Sequence, residues 1–216
     1  FPEIKNRKKE DFFFIEEEDP AEVAEIIRDL CMRRLPDHYG YHPIEDIQVL
    51  CPMYRGETGA INLNQLLQET LNPKGQSYKR GSSEFKMGDK VMQIVNNYNN
   101  EVFNGDIGRI AEIDLECQTV KVAFDHLVSY DFTGLDELVL AYAISVHKSQ
   151  GSEHKVVVMP ITTQHYVMLQ RNLLYTAVTR AKELLVLVGT KKALVLAVKN
   201  NRVMERYTWL SQRLAP

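Results

Sequence analysis

The sequence predicts an α/β protein in which a parallel sheet, covered by helices on both faces, is interrupted by a small inserted β-barrel. Three observations carry this expectation. Short, almost continuously apolar runs alternate with helix-period segments at both ends of the 216-residue chain, the pattern of strands buried on both faces. About fifty residues in the middle hold closely spaced β-prone runs separated by turn signals, which is the pattern of a small barrel. The first pattern then resumes at Leu138, so the middle is an insertion.

Taken in order, residues 11–15 (DFFFI) read as a buried strand and residues 20–35 as a helix opened by Asp19-Pro20, with proline at the first helical position. Residues 46–53 (DIQVLCPM) read as a second buried strand and residues 60–71 as a helix. Residues 72–83 (NPKGQSYKRGSS) have no period and are rich in Gly, Ser and Pro, so they read as a linker. The runs 90–95, 107–113, 119–124 and 127–132 form the barrel, with Asn104-Gly105 as a hairpin signal. After it come the apolar residues 138–142 (LVLAY), a polar helix start, a strand at 155–159, a helix at 166–180, a strand at 184–188 and two terminal helices. Residues 1–83 and 135–216 are therefore expected to be two parts of one α/β domain, and residues 84–134 the inserted barrel.

A chain that is 44% hydrophobic is long enough to bury a sizeable core. It has no apolar run of about 18 residues to span a bilayer, and FPEIKNRKKE lacks the order of a signal peptide. A soluble, cytoplasmic protein without a membrane partner is expected. Cys31, Cys51 and Cys117 are far apart and without CxxC spacing, which predicts buried thiols and no metal site. The net charge of −3 is unevenly spread. Residues 171–216 carry nine Lys or Arg against two Glu, net +7, whereas residues 84–134 carry four against nine acidic residues, net −5. A basic face attracts phosphates and an acidic one does not.

Ligands of open α/β sheets lie beyond the carboxyl ends of the strands, and three polar clusters are expected there. They are Tyr54-Arg55-Gly56, residues 145–153, and residues 176–182 (TAVTRAK). Any one alone reads as a loop; three at one edge make a site.

These clusters carry a resemblance. AYAISVHKSQGSE resembles motif V, and LLYTAVTRAKELLVLVG motif VI, of superfamily 1 helicases, while IQVLCPMYRGETGAINLNQLLQETLNP is similar to motif IV of RecD-like enzymes. FKMGDKVMQIVNNYNNEVFNGDIGRI is similar to the SH3-like barrel those enzymes carry between motifs IV and V. The resemblance implies a RecA-like parallel sheet domain of the P-loop NTPase type with an SH3-like insertion. It implies that Arg55 and Arg180 reach the γ-phosphate of ATP as catalytic arginines, that Glu153, within Gly151-Ser152-Glu153, bonds the nucleotide ribose, and that Ser145, His147 and Ser149 face the nucleic-acid backbone. Ser145 stands where many relatives carry Thr.

No GxxxxGK[ST] loop and no credible magnesium-binding acidic pair occur in the sequence. The chain is therefore expected to be the carboxy-terminal half of an ATP-dependent DNA helicase used in repair and recombination, inactive as an isolated fragment. ATP with Mg²⁺ would be bound mainly by the amino-terminal half. The implied activity is 5'-to-3' movement on single-stranded DNA or at DNA junctions, alone or with RecB- and RecC-like subunits or other repair proteins. The alternatives are a non-enzymatic nucleic-acid or protein-binding module, or the same half of a relaxase-type or Pif-type helicase. Outside the motifs, Lys148 and Lys155 read as solvated or structural, His154 as a strand-edge residue, and Asn62, Asn64 and Asn72 as caps and turns. Phe103 is assigned to the barrel core, and Tyr98 either to that core or to stacking on a base.

Overall fold

Alternate residues of the strand His154–Ile161 face opposite cores: Val156 and Val158 belong to one buried cluster, Val157, Met159 and Ile161 to the other. A strand with both faces buried must be apolar throughout, and its neighbours repeat the pattern. In this computed structural model, which describes residues 11–81 and 83–201, five parallel strands form a sheet. They are β1 (Phe12–Glu16), β2 (Ile47–Cys51), β10 (Ala143–Ser145), β11 (His154–Ile161) and β12 (Ala181–Gly189), in the order β1-β12-β11-β2-β10. Helices α1 (Pro20–Asp29) and α3 (Ala60–Leu71) cover one face, and α4 (Arg171–Val178) and α5 (Lys191–Lys199) the other. Asp19 caps α1, its carboxylate accepting from the Ala21 amide at 2.9 Å. The helix continues through a π turn (Leu30–Arg34) into α2 (Leu35–Tyr39), closed by Gly40 in the left-handed conformation. No described helix is long and apolar enough to cross a membrane.

Between α3 and β10 lie a hairpin, β3 (Ser77–Arg80) and β4 (Ser83–Lys86), and an antiparallel sheet. That sheet has the order β8-β7-β6-β5-β9, with β5 at Lys90–Gln93, β6 at Ile107–Asp114, β7 at Thr119–Ala123, β8 at Leu127–Asp131 and β9 at Leu138–Leu140. Its inward residues, among them Val91, Ile110, Val120, Val122 and Tyr130, form a third core.

Several expectations are corrected. The linker at 72–83 contains strand β3, because Tyr78 stacks on Phe132 at 3.7 Å between ring centroids. Residues 138–140 pair with β5 rather than with the parallel sheet, since Leu138 joins the third core. The polar segment after 142 is strand β10 followed by a 3₁₀ turn, Val146–Ser149. Helix α4 starts at Arg171 instead of 166, because Thr162 and His165 cap each other in a 3₁₀ turn upstream. Cys31 and Cys51 are buried, but Cys117 lies exposed in a turn. Phe103 is 45% exposed and Tyr98 74%, so neither is a core residue. The second terminal helix, the basic residues beyond 201 and the amino-terminal ten residues fall outside the described residues.

A polar hub fixes the antiparallel sheet on the α/β domain. Asp89, fully buried, accepts from Asn72 Nδ2 (2.7 Å) and Gln68 Nε2 (2.5 Å) of the α3 region, from Tyr142 Oη (2.9 Å) beside β10, and from the Lys86 amide (2.7 Å). Next to it, Lys90 is buried with Nζ donating to the Ile47 carbonyl at 3.2 Å, and Arg109 pairs with Glu45 at 3.0 Å.

Burial lowers the Lys90 ammonium from 10.5 to about 8. The folded state thus binds this proton less tightly than the unfolded one, so stability rises with pH between those values and the charge costs stability below them. Lys90→Met is expected to raise the unfolding free energy by about 1–3 kcal/mol at neutral pH, and the gain should shrink as pH approaches the unfolded value. Urea titrations of both proteins across that range measure this, and a destabilised variant at neutral pH would show that the ammonium is a net structural asset.

Candidate functional site

Ser145 ends β10, an edge strand whose only strand partner among the described residues is β2. Its open side is closed by a side chain: Asn64 of α3 donates Nδ2 to the Ala143 carbonyl (2.7 Å) and accepts from the Ala143 amide through Oδ1 (2.9 Å). One amide thus satisfies both backbone groups that another strand would have taken. Asn64 is therefore a strand-edge clamp rather than a cap.

Beyond β10, the Ser145 hydroxyl accepts from the Lys148 amide (3.4 Å) and donates to Tyr54 Oη (3.4 Å). His147 is exposed. Ser149 is fully buried with its hydroxyl donating to the Val146 carbonyl at 2.7 Å, so the expectation that it faces a nucleic-acid backbone is corrected: it closes the turn. Lys148 Nζ sits 6.0 Å from the centre of the half-exposed Tyr54 ring. Arg55 follows Tyr54 in an exposed loop. That loop doubles back so tightly that a Cβ on Gly59 would stand 2.4 Å from the Arg55 carbonyl oxygen. Lys155 forms a 2.7 Å ion pair with Asp46 at the surface.

Residues 146–153 then cross from the carboxyl end of β10 to the amino end of β11. Gly151, at φ +88° with nothing within 4 Å of a Cβ, makes the turn. Arg180 meets this segment, its Nη1 donating to the Ser152 carbonyl (2.9 Å) and its Nε to Thr176 O (3.3 Å), while its own carbonyl accepts from the His154 amide (2.8 Å). Among the described residues no carboxylate pairs with Arg180, so its charge is left over for a ligand. Glu153, by contrast, is neutralised by Lys182 at 3.0 Å. His154 is not an ordinary edge residue. Its Nε2 is buried without a partner, and burial, reinforced by Lys90, Arg180 and Lys182, lowers its pKa to about 4, so the ring is neutral at physiological pH.

The clusters therefore occupy two edges. Ser145 is level with Cys51, and Val49 with Val158, whereas His154 is level with Ala181. The register places Ser145 some six residues up the sheet from His154, or about 20 Å at strand rise. Tyr54, Arg55, Ser145 and His147 belong to the carboxyl edge, and Gly151, Glu153 and Arg180 to the amino edge. The expectation that all three clusters share the carboxyl edge is corrected, because TAVTRAK precedes a parallel strand instead of following one. For the same reason Arg180, before β12, lies at the opposite edge from the end of β2, which Arg55 follows.

Sequence reading missed Asp89, Gln68 and the clamp role of Asn64. The available signal was the placement of Asn64 and Gln68 one turn apart on the face of α3 that buries Leu63 and Leu67; a polar residue on an apolar stripe announces a buried partner.

The chain matches the family model of the SH3 domain of ATP-dependent RecD-like DNA helicases over residues 63–124 and that of the UvrD-like helicase C-terminal domain over residues 140–188. It is 38% identical over 169 residues to the ATP-dependent RecD2 DNA helicase of Deinococcus radiodurans, covering 78% of this chain and 23% of that protein. It is 27% identical over 173 residues to the RecBCD enzyme subunit RecD of Mycolicibacterium smegmatis, covering 80% of this chain and 30% of that one. The chain thus spans less than a third of the length of either relative. Its fold is similar to a crystal structure of Pif1 helicase from Bacteroides in complex with ADP-AlF3 and ssDNA, with a TM-score of 0.54 at 15% identity over 89% of this chain and 48% of that one. Motifs, insertion and parallel sheet agree, and the chain belongs to the RecD-like helicase family as a C-terminal part.

Proposed function

We propose that the chain is the second motor domain of an ATP-dependent DNA helicase, with nucleotide at the amino edge of its parallel sheet and single-stranded DNA at the carboxyl edge. The observation that carries this reading is the uncompensated Arg180 guanidinium, anchored on the very segment that leads to Ser145 and His147. Arg180 offers fixed positive charge to a terminal phosphate. Glu153 can accept from a ribose hydroxyl, and the open space at Gly151 admits a ligand against the backbone. ATP, bound with Mg²⁺ mainly by an amino-terminal half, supplies the phosphoryl group. At the other edge the exposed His147 and Arg55 suit phosphate oxygens without reading bases, while Ser145, buried with its hydroxyl donating to Tyr54 Oη, holds the Tyr54 ring at that edge. The crossing segment links the edges, so that domain closure around nucleotide shifts the grip on the strand. Movement in the 5'-to-3' direction, with or without RecB- and RecC-like subunits, completes the proposal. The inserted module that acts in it reaches beyond residues 84–134, since Tyr78, Leu138 and Leu140 pack on the same core.

The protein containing this chain is expected to hydrolyse ATP in response to single-stranded DNA, and the isolated chain is not. His147→Ala should weaken DNA binding about three- to tenfold, the worth of one net hydrogen bond, in an anisotropy titration with a thymidine oligonucleotide. Hydrolysis without DNA stimulation would favour another motor class, and no hydrolysis at all would favour a plain binding module.

A further inference from the structure

Between β2 and α3, residues 54–57 are exposed, while the next residue, Thr58, is only 1% exposed. Its hydroxyl lies 3.0 Å from Nε2 of His165, which is itself buried and 107 residues away in sequence. His165 belongs to the 3₁₀ turn that follows β11, and β11 is the neighbour of β2 in the sheet. The bond therefore ties together the loops that leave the carboxyl ends of two adjacent strands. No step of the proposed function uses it.

The direction of the bond follows from the other ring nitrogen. Nδ1 accepts from the Thr162 amide at 3.5 Å, with Thr162 Oγ1 also 3.4 Å from it. The ring proton therefore sits on Nε2, which donates to Thr58 Oγ1. Burial lowers the His165 pKa to about 4, so the ring is neutral and keeps this arrangement at physiological pH.

What the bond does depends on what else holds the loop. The Gly59 amide donates to the Gly56 carbonyl and the Ala60 amide to the Met53 carbonyl, both at 3.0 Å, and Asn62 Nδ2 donates to the Glu57 carbonyl at 2.7 Å. These bonds close the loop on itself and on the start of α3, so they set its shape. Its seat on the sheet is set by two side-chain bonds to other elements, Ser145 with Tyr54 at 3.4 Å and His165 with Thr58 at 3.0 Å. The first is long and its Tyr54 ring is half-exposed; the second is short and dry, and a hydrogen bond away from water is the stronger one. Arg55 lies between the two anchors. Among the described residues its side chain makes no hydrogen bond or ion pair, so its placement is inherited from the loop. We propose that His165, acting through Thr58, is a positioning residue for Arg55 and holds the loop so that the guanidinium meets a phosphate of the bound strand. The proposal rests on the reading that this edge carries the strand.

The test is a double-substitution cycle in the complete protein, read as the concentration of a thymidine oligonucleotide that half-activates ATP turnover. Thr58→Val keeps the shape of the side chain and removes its hydroxyl. It should raise that concentration about three- to tenfold, the worth of one net hydrogen bond, and leave turnover at saturating DNA, which reports folding, unchanged. Thr58→Ser keeps the hydroxyl and should behave as the unsubstituted protein does. Arg55→Ala should raise the half-activating concentration at least as much, and adding Thr58→Val to it should do nothing more, because the residue being positioned is gone. A bond with a structural role alone would act equally in both backgrounds, and that outcome would overturn the proposal. So would an unchanged half-activating concentration in Thr58→Val beside a raised one in Arg55→Ala, which leaves the edge reading standing. If Arg55→Ala leaves that concentration unchanged, the assignment of Arg55 to the strand fails, and the positioning role with it.

Discussion

Arg180→Ala in the complete protein should lower DNA-stimulated ATP turnover by about 10³- to 10⁵-fold, the range typical of an arginine that stabilises charge in phosphoryl transfer. The expectation rests on two features of the site. Arg180 has no carboxylate partner among the described residues, and its donors are held by neutral carbonyls, Ser152 O at 2.9 Å and Thr176 O at 3.3 Å. Those contacts aim the side chain without cancelling its charge. Losing them also costs stability, about 1–3 kcal/mol, so the variant must be compared at a temperature where both proteins are folded. Arg180→Lys separates the roles, since it keeps the charge but not the planar fork. It should recover only part of the rate. Affinity for single-stranded DNA without nucleotide should be nearly unchanged in both variants, because the strand is assigned to the opposite edge. A loss of turnover below tenfold would make Arg180 a structural residue that fastens the crossing segment.

The parallel sheet was legible because strands buried on both faces leave little freedom of composition: IQVLC, KVVVM and LLVLV have no other soluble use. Helix α3 was legible to the residue, and so was the Asp19 cap. Strand β3 was not, because Ser77–Arg80 is polar and is held by pairing with β4 and by contacts far away in sequence, the Tyr78 stack on Phe132 and the Arg80 ion pair with Asp136. Residues 138–140 misled for the opposite reason, since LVLAY reads equally well as one strand or as two short strands of different sheets divided at Ala141. The motifs gave candidate residues, but their grouping at one edge ignored chain direction. A cluster that follows a parallel strand and one that precedes it lie a strand length apart, and TAVTRAK precedes β12. Sequence similarity assigns Arg55 and Arg180 a common role, whereas register puts the end of β2 and the start of β12 at opposite edges. Phe103 was misjudged in another way, and Tyr98, left open between the core and stacking on a base, lies outside the core with it. They meet edge to face at 6.0 Å on a loop held open by its own asparagines: Asn96 Oδ1 accepts from the Asn104 amide at 2.9 Å and Asn97 Oδ1 from the Asn100 amide at 3.2 Å. Local side-chain bonding of this kind keeps aromatic residues out of a core that their hydrophobicity alone would predict.

Asp89→Ala should cost about 3–5 kcal/mol of unfolding free energy at neutral pH, since several buried donors lose their acceptor at about 1–3 kcal/mol each. Four donors from four places, Asn72, Gln68, Tyr142 and the Lys86 amide, converge on this carboxylate, and alanine would leave all of them facing a dry cavity. Asparagine would not be a mild replacement, because one carboxylate oxygen becomes an NH₂ aimed at other donors; Asp89→Asn is expected to lose at least half as much. The pH dependence has a definite sign. Burial raises the Asp89 pKa, with the four hydrogen bonds pulling the other way. The folded state therefore holds the proton more tightly than the unfolded one, and the wild-type protein loses this part of its stability as pH rises from about 4 through the folded value. The penalty of either substitution should then be largest in mild acid and shrink as pH rises through the folded value. Because the hub joins the antiparallel sheet to α3 and, through Tyr142, to the strand that ends in Ser145, loosening it should reduce unwinding more than ATP turnover. Urea titrations at both ends of the pH range, with unwinding and turnover measured side by side, give the answer. A penalty below about 1 kcal/mol would mean that water replaces the carboxylate without loss, and equal losses of unwinding and turnover would show that the hub serves stability alone.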